Sequence, residues 1–260
     1  MRFASHRDIA RALERALRRA EIPVAFSAGF SPHPKVSYTG AAPTGVASEA
    51  EYLELTLAEA RDPERVRTGL DEAMPHGIDV VEVLEARGPG LADRLQASEW
   101  SVELAGVDPE TAAAASRAYL AADGVEVERM TKKGRRRFDT RPAVVRLDVG
   151  SGPDGRAPGE DHTTYAILRM VVRHVTPAVR PDDVLNGLRL VADLAPPSSP
   201  LMTRLAQGPL DETTGAIADP LTPDRPAAHT TVGTGSEDDR AHDRRVGAPR
   251  PPAPVAGARP

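Results

Sequence analysis

The sequence predicts an α+β fold of two ferredoxin-like (split βαβ) units followed by a disordered C-terminal tail. Three observations carry this. Residues 1–90 read as α-β-β-α-β, residues 97–205 repeat a similar alternation, and composition changes after residue 206. All nine aromatic residues lie between Phe3 and Tyr165, and residues 207–260 hold nine prolines and six glycines. A chain segment without large apolar side chains cannot offset its conformational entropy, so 206–260 is expected to be disordered.

The first unit opens on a helix. Ser5 is a capping residue with Asp8 three positions on, and Ile9, Leu13, Ala16, Leu17 and Ala20 fall on one side of the wheel. Arg7, Arg11, Arg15 and Arg18 form a stripe on the other side. Val24–Phe26 and Lys35–Thr39 read as one broken strand, interrupted by a loop with Pro32 and Pro34. Leu53, Leu55 and Leu57 alternate at period two, the mark of a half-buried strand. Asp62-Pro63-Glu64 opens a second helix, Pro75-His76-Gly77 stops it, and Ile78–Leu84 reads as a strand. One further strand in front would complete the βαββαβ pattern, so the first unit is expected to lack its N-terminal strand. That reading predicts an exposed apolar slot beside Ile78–Leu84, low solubility, and a gain in stability when upstream residues supply the strand.

In the second unit, strands are expected at Trp100–Ala105, Val125–Met130, Arg135–Thr140, Ala143–Val149, Thr163–Arg173 and Leu201–Leu205. Helices open at Asp108-Pro109-Glu110 and Arg180-Pro181-Asp182, and residues 151–160 read as a Gly/Pro/Asp surface loop.

Composition removes several chemistries. With no cysteine there is no disulfide framework, thiolate zinc site, cysteine-held iron–sulfur cluster or cysteine nucleophile. No apolar run is long enough for a membrane-spanning helix and no signal-peptide pattern opens the chain, which predicts a cytoplasmic protein without membrane contact. No glycine-rich phosphate loop, nucleophile elbow or zinc-protease motif occurs. The net charge of −5 hides an uneven distribution: +4 over residues 1–40, −13 over 41–128 and +7 over 129–146.

Three clusters are candidates for chemistry. In the loop Gly29–Lys35, two prolines fix the backbone around His33, and Lys35 follows, which suits a proton shuttle or a phosphate contact. His6 sits at a helix N-terminus, where an anion is favoured, though its side of the wheel places it under a sheet edge. The segment Arg129–Arg141 holds Lys132, Lys133, Arg135, Arg136 and Arg137 on a strand–turn–strand with Phe138, which suits a phosphate backbone. Arg7, Arg11 and Arg18 extend that track. No metal site and no cofactor are expected.

Four strings resemble a known family. They are Ser5-His6-Arg7-Asp8 with Arg11–Ala20, Gly29–Lys35, Gly45–Leu53, and Thr131-Lys132-Lys133-Gly134. In this order they look like the bacterial radical-SAM-associated domain of unknown function, over residues 1 to about 205. The resemblance implies a protein encoded beside, or fused to, a radical SAM protein, often near a ribonuclease of the E/G type and ribosomal proteins. It carries no established activity and no catalytic residues. A radical SAM enzyme needs a cysteine-ligated cluster, so the resemblance makes this chain the partner of such an enzyme. The expectation is a non-catalytic accessory that binds RNA or an RNA-containing substrate for a separate radical SAM enzyme. The alternatives are a metal-independent RNA endonuclease using His33, with Lys35 or Arg7 stabilising the developing charge, and a protein-interaction module docking through the acidic 41–128 segment.

Overall fold

The computed structural model describes residues 6–132, 134–150 and 165–226. It is a mixed α+β protein in which the described residues up to Arg225 form one compact unit. The expected loop at 151–160 and most of the expected tail lie outside the described residues.

Helix α1 (His6–Arg19) buries Ala12, Leu13, Ala16 and Leu17, the apolar side read from the wheel, and leaves its arginine side in water. Strands β1 (Val36–Thr39) and β3 (Tyr52–Leu55) form a two-stranded antiparallel ribbon with Val36 opposite Leu55. Helix α2 (Pro63–Ala73) starts where Asp62 accepts a hydrogen bond from the Glu64 amide. Val66, Leu70 and Ala73 of α2 meet Leu13, Ala16 and Leu17 of α1, with Val36, Tyr38 and Leu55 of the ribbon beneath.

Two strand expectations in this half are corrected. Val24–Phe26 makes only isolated bridges, Val24 to Leu57 and Phe26 to Pro34. Ile78–Leu84 runs without any strand pairing: Val80 and Val83 pack on the helix core, while Val81 stands exposed. A run rich in Val, Ile and Leu is not sufficient for a strand, because the backbone also needs a neighbour for its N–H and C=O groups.

The second half is built on a five-stranded sheet. Its strands are β2 (Ala47–Ser48), β4 (Ala97–Ala105), β7 (Val144–Val149), β8 (Tyr165–Arg173) and β9 (Leu201–Gly208), in spatial order β2-β9-β4-β8-β7. The β4, β7, β8 and β9 neighbours pair antiparallel, and the short β2 joins β9 in parallel. A short helix, α3 (Leu91–Arg94), precedes β4. Helices α4 (Pro109–Ala121) and α5 (Pro181–Ala192) cover one face of the sheet, with Tyr119, Val184 and Leu188 packed against Val102, Leu104, Leu168 and Met170. Asp108 caps α4 through the Thr111 amide at 2.8 Å, as its Asp-Pro start implies. Strands β5 (Glu126–Thr131) and β6 (Gly134–Asp139) form a separate antiparallel hairpin.

Order extends beyond residue 205, where disorder was expected. β9 continues to Gly208, Leu210 bridges Ile217, and Thr222–Asp224 form a 3₁₀ turn. Asp224 holds this strap down. Its carboxylate receives both terminal nitrogens of Arg94, one at 3.1 Å, and the Arg87 amide at 2.7 Å. Both side chains are buried, so losing either partner would leave an uncompensated buried charge.

Candidate nucleic-acid interface

The hairpin β5–β6 carries most of the expected cations, and its register decides what they face. Glu128 lies opposite Arg137 and Met130 opposite Arg135. Arg137 donates to Glu128 at 2.9 Å and lies 3.7 Å from Glu126, while Arg135 lies 3.7 Å from Glu128. The two glutamates precede the basic string by one and three positions. Period-two geometry places them on the same face as Arg135 and Arg137, a signal available from alternation alone. The Glu128 pairing raises the Arg137 pKa.

Other arginines of the basic segment are committed internally. Arg129 is held by Asp183 at the start of α5 and by the Ala178 carbonyl, with its guanidinium 4.9 Å from the Phe138 ring centre. Burial pushes the Asp183 carboxyl upward in pKa, and Arg129 and the Arg180 amide oppose that. Phe138 is buried, which removes it as a stacking surface. Arg141 donates to the Leu120 carbonyl at 3.0 and 3.1 Å and to the Val144 carbonyl at 3.0 Å. Arg146 pairs with Glu99 at 2.8 Å. Among the described residues of the segment, Lys132 and Arg136 are exposed at the tip and make no ion pair. Lys133 lies outside the described residues.

The arginine stripe of α1 is the more open cationic surface. Arg7, Arg11, Arg15 and Arg18 are all exposed. Arg18 donates to the Glu14 carbonyl within its own helix at 3.2 Å, which leaves its charge unneutralised. Arg19 reaches the Ala73 carbonyl at 3.5 Å. His6 meets the Tyr38 ring edge-on at 4.8 Å yet remains exposed, so it is not covered by a sheet edge as its side of the wheel suggested. Burial, with the Glu14 charge second, raises the Tyr38 pKa.

The Gly29–Lys35 loop is clamped at its base. The Ser27 amide donates to the His33 carbonyl at 2.8 Å, the His33 amide donates to Ser27 Oγ at 3.0 Å, and the Lys35 amide donates to the Ala25 carbonyl at 2.7 Å. The His33 and Lys35 side chains point to solvent. No described carboxylate or second histidine contacts the His33 imidazole, which leaves it without the orienting group that general acid–base work requires. Among the described residues, no three His, Asp or Glu side chains converge on a point that would hold a metal ion. Likewise, no described helix is long and apolar enough to cross a membrane.

The Gly45–Leu53 string has a structural task. Arg204 of β9 is buried against it: the guanidinium donates to Ser48 Oγ at 3.2 Å, to the Gly40 carbonyl and to the Glu51 carboxylate, and lies 5.4 Å from the Trp100 ring centre. The other Glu51 oxygen receives the Ala42 amide at 3.2 Å. Gln207 donates to the Ala50 carbonyl, and Gly40, at φ +63°, leaves room for it, since a Cβ there would meet Gln207 Oε1 at 2.8 Å. Together these bonds fasten the loop after β1 to the five-stranded sheet. Sequence reasoning missed the clamp because its two halves lie far apart in the chain.

Residues 1–181 match the model of a protein family described as "uncharacterized protein conserved in bacteria (DUF2344)". No curated protein matches the chain.

Proposed function

The chain belongs to that uncharacterised bacterial family, and we propose that it is a non-catalytic accessory that binds RNA for a separate radical SAM enzyme. The observation that carries the reading is the α1 face, where Arg7, Arg11, Arg15 and Arg18 stand in water with no ion-pair partner among the described residues. Aligned, unneutralised guanidinium groups are what a phosphate backbone selects, since each contact releases condensed counterions. Lys132, Lys133, Arg135, Arg136 and Arg137 form the second contact in this reading. Their share is smaller, because Glu126 and Glu128 neutralise part of the hairpin.

The role is to hold and not to react. The only titratable groups on the clamped loop are His33 and Lys35, and His33 has no second group to make it an acid or base. The radical SAM partnership rests on the four resembling strings. The radical chemistry then belongs to the partner, because this chain has no cysteine with which to hold an iron–sulfur cluster. For the architecture, we read residues 97–208 as a ferredoxin-like unit. The order β9-β4-β8-β7 with α4 and α5 as crossovers supports this, and α1, β1, β3 and α2 are read as part of a second such unit.

A filter-binding titration against structured RNA at several salt concentrations tests the reading. Affinity should fall steeply with salt, and substitution of Lys132, Lys133 and Arg135 by alanine should weaken it further. Binding that is insensitive to salt, or absent at low salt, contradicts it. Co-purification with the radical SAM protein encoded nearby tests the partnership.

A further inference from the structure

We propose that the clamped loop Phe26–Lys35 is a binding site for single-stranded RNA, with the Phe30 ring as the platform for one unpaired base and Lys35 as the neighbouring phosphate contact. The inference rests on the RNA-binding reading above and adds to it a strand state and a site.

The loop is built to present its tip. Its ends are joined by the Phe26–Pro34 bridge and by the two hydrogen bonds between Ser27 and His33. Pro32 and Pro34 fix φ on either side of His33. Gly29, at φ +125° with open space around it, turns the chain so that Phe30 points away from the protein. The Phe30 side chain is fully exposed, and Phe26, at the foot of the same loop, is 54% exposed.

A single exposed apolar residue is unremarkable on a protein surface. Two features make this one informative. The chain has only four phenylalanines, and two of them stand on this loop with most of their surface in water. In addition, no Asp or Glu occurs between Glu21 and Glu49, while Lys35 is one of only three lysines in the chain. Across the ribbon, Glu54 lies opposite Ser37 and shares a pocket with Lys35, but its carboxylate receives the Leu91 amide at 3.2 Å, and Glu59 beyond Leu57 pairs with Arg61 at 2.9 Å. A rigid aromatic tip in a stretch without negative charge matches a base joined to phosphate, and is a poor match for a basic peptide. A duplex base is already stacked and paired, so a ring on a short clamped loop reaches only an unpaired one.

The test uses the full chain and a short, end-labelled RNA, single-stranded or annealed to its complement, read by fluorescence anisotropy. Phe30→Leu keeps an apolar side chain and removes the aromatic face. It should weaken single-strand binding about tenfold, the scale of one base–aromatic stack, and leave duplex affinity and thermal unfolding unchanged. Phe30→Trp should retain the affinity, and its emission should be quenched on RNA addition, while the buried Trp100 supplies a constant background. Single-strand affinity unchanged in Phe30→Leu overturns the site but leaves the RNA reading in place. So does an unquenched Phe30→Trp that still binds. Loss of radical SAM partner capture in Phe30→Leu at unchanged RNA affinity would overturn it in favour of protein docking. If the unmodified chain binds neither RNA form at low salt, the RNA reading falls and the site falls with it.

Discussion

Arg204→Met isolates the clamp that fastens residues 40–51 to the five-stranded sheet. The Arg204 side chain is 4% exposed, and it serves the Gly40 carbonyl, Ser48 Oγ and the Glu51 carboxylate while lying against Trp100. Methionine keeps most of the apolar stem and abandons all three acceptors. Removing one member of a buried ion pair costs about 3–5 kcal/mol. The Glu51 side chain is 43% exposed and regains water when its partner leaves, which lowers the expected cost to about 2–3 kcal/mol. In a unit of this size each kcal/mol shifts the melting midpoint by about 2–4 °C, so the midpoint should fall by about 4–12 °C. Thermal unfolding followed by circular dichroism reads the shift, and a urea titration on the same variant converts it to free energy. Glu51→Gln provides the control, because it leaves Arg204 a neutral acceptor and should cost less than half as much. A midpoint for Arg204→Met within about 1 °C of the unmodified chain would refute the reasoning. It would mean that apolar packing alone holds the loop against the sheet.

Further predictions concern the strap, a hydrogen-bonded imidazole and a helix contact. Asp224→Asn should free residues 209–226 to protease cleavage at neutral pH while the sheet stays protected. Hydrogen bonds from Arg94 hold the Asp224 carboxyl below the ordinary carboxylate range. Its contribution is therefore complete above the unfolded pKa of about 3.9 and is lost as pH falls through the lower folded value, so strap release in the unmodified chain should appear only in acid. The His174 ring is fixed by two hydrogen bonds, with Nδ1–H donating to the Leu95 carbonyl at 2.7 Å and Nε2 accepting from Ser98 Oγ at 2.6 Å. Partial desolvation of the ring lowers its pKa, so the unfolded chain takes up the proton first and stability should decline as pH drops below about 6.5. His174→Gln should flatten that dependence in denaturant titrations between about pH 5 and 7. Gly187→Ala should destabilise by about 1–3 kcal/mol despite alanine's better helix propensity, because its Cβ would meet Tyr119 at 2.7 Å and Val125 at 2.8 Å. An unchanged urea midpoint there would show that α4 and α5 separate freely.

What was legible in the sequence was what short-range physics determines. Asp62-Pro63 and Asp108-Pro109 announce α2 and α4 because a cap and a fixed φ are local properties, and both helices begin at those prolines. The apolar and arginine sides of α1 followed from the helical period in the same way. Ile78–Leu84 misled because its β-branched, apolar composition is local, whereas strand pairing depends on a distant neighbour. The strap misled for the converse reason. Its composition is that of a disordered segment, yet Asp224 finds Arg94 far upstream. At the candidate site, the charge of the basic string was legible but its availability was not. Arg129 turns to Asp183, Arg141 to backbone carbonyls, and Arg135 and Arg137 to glutamates just outside the string. Among the described residues of these two surfaces, Lys132, Arg136 and the α1 stripe remain open.

The most direct test of the account is therefore the salt dependence of RNA affinity for Arg7→Gln, Arg11→Gln and Arg18→Gln combined, set beside Arg135→Gln and Arg137→Gln combined. Each phosphate contact contributes about 0.7 to the slope of log affinity against log salt on a single strand. The account predicts that the α1 variant loses about two from that slope and the hairpin variant well under one. An α1 variant with the unmodified slope would contradict it.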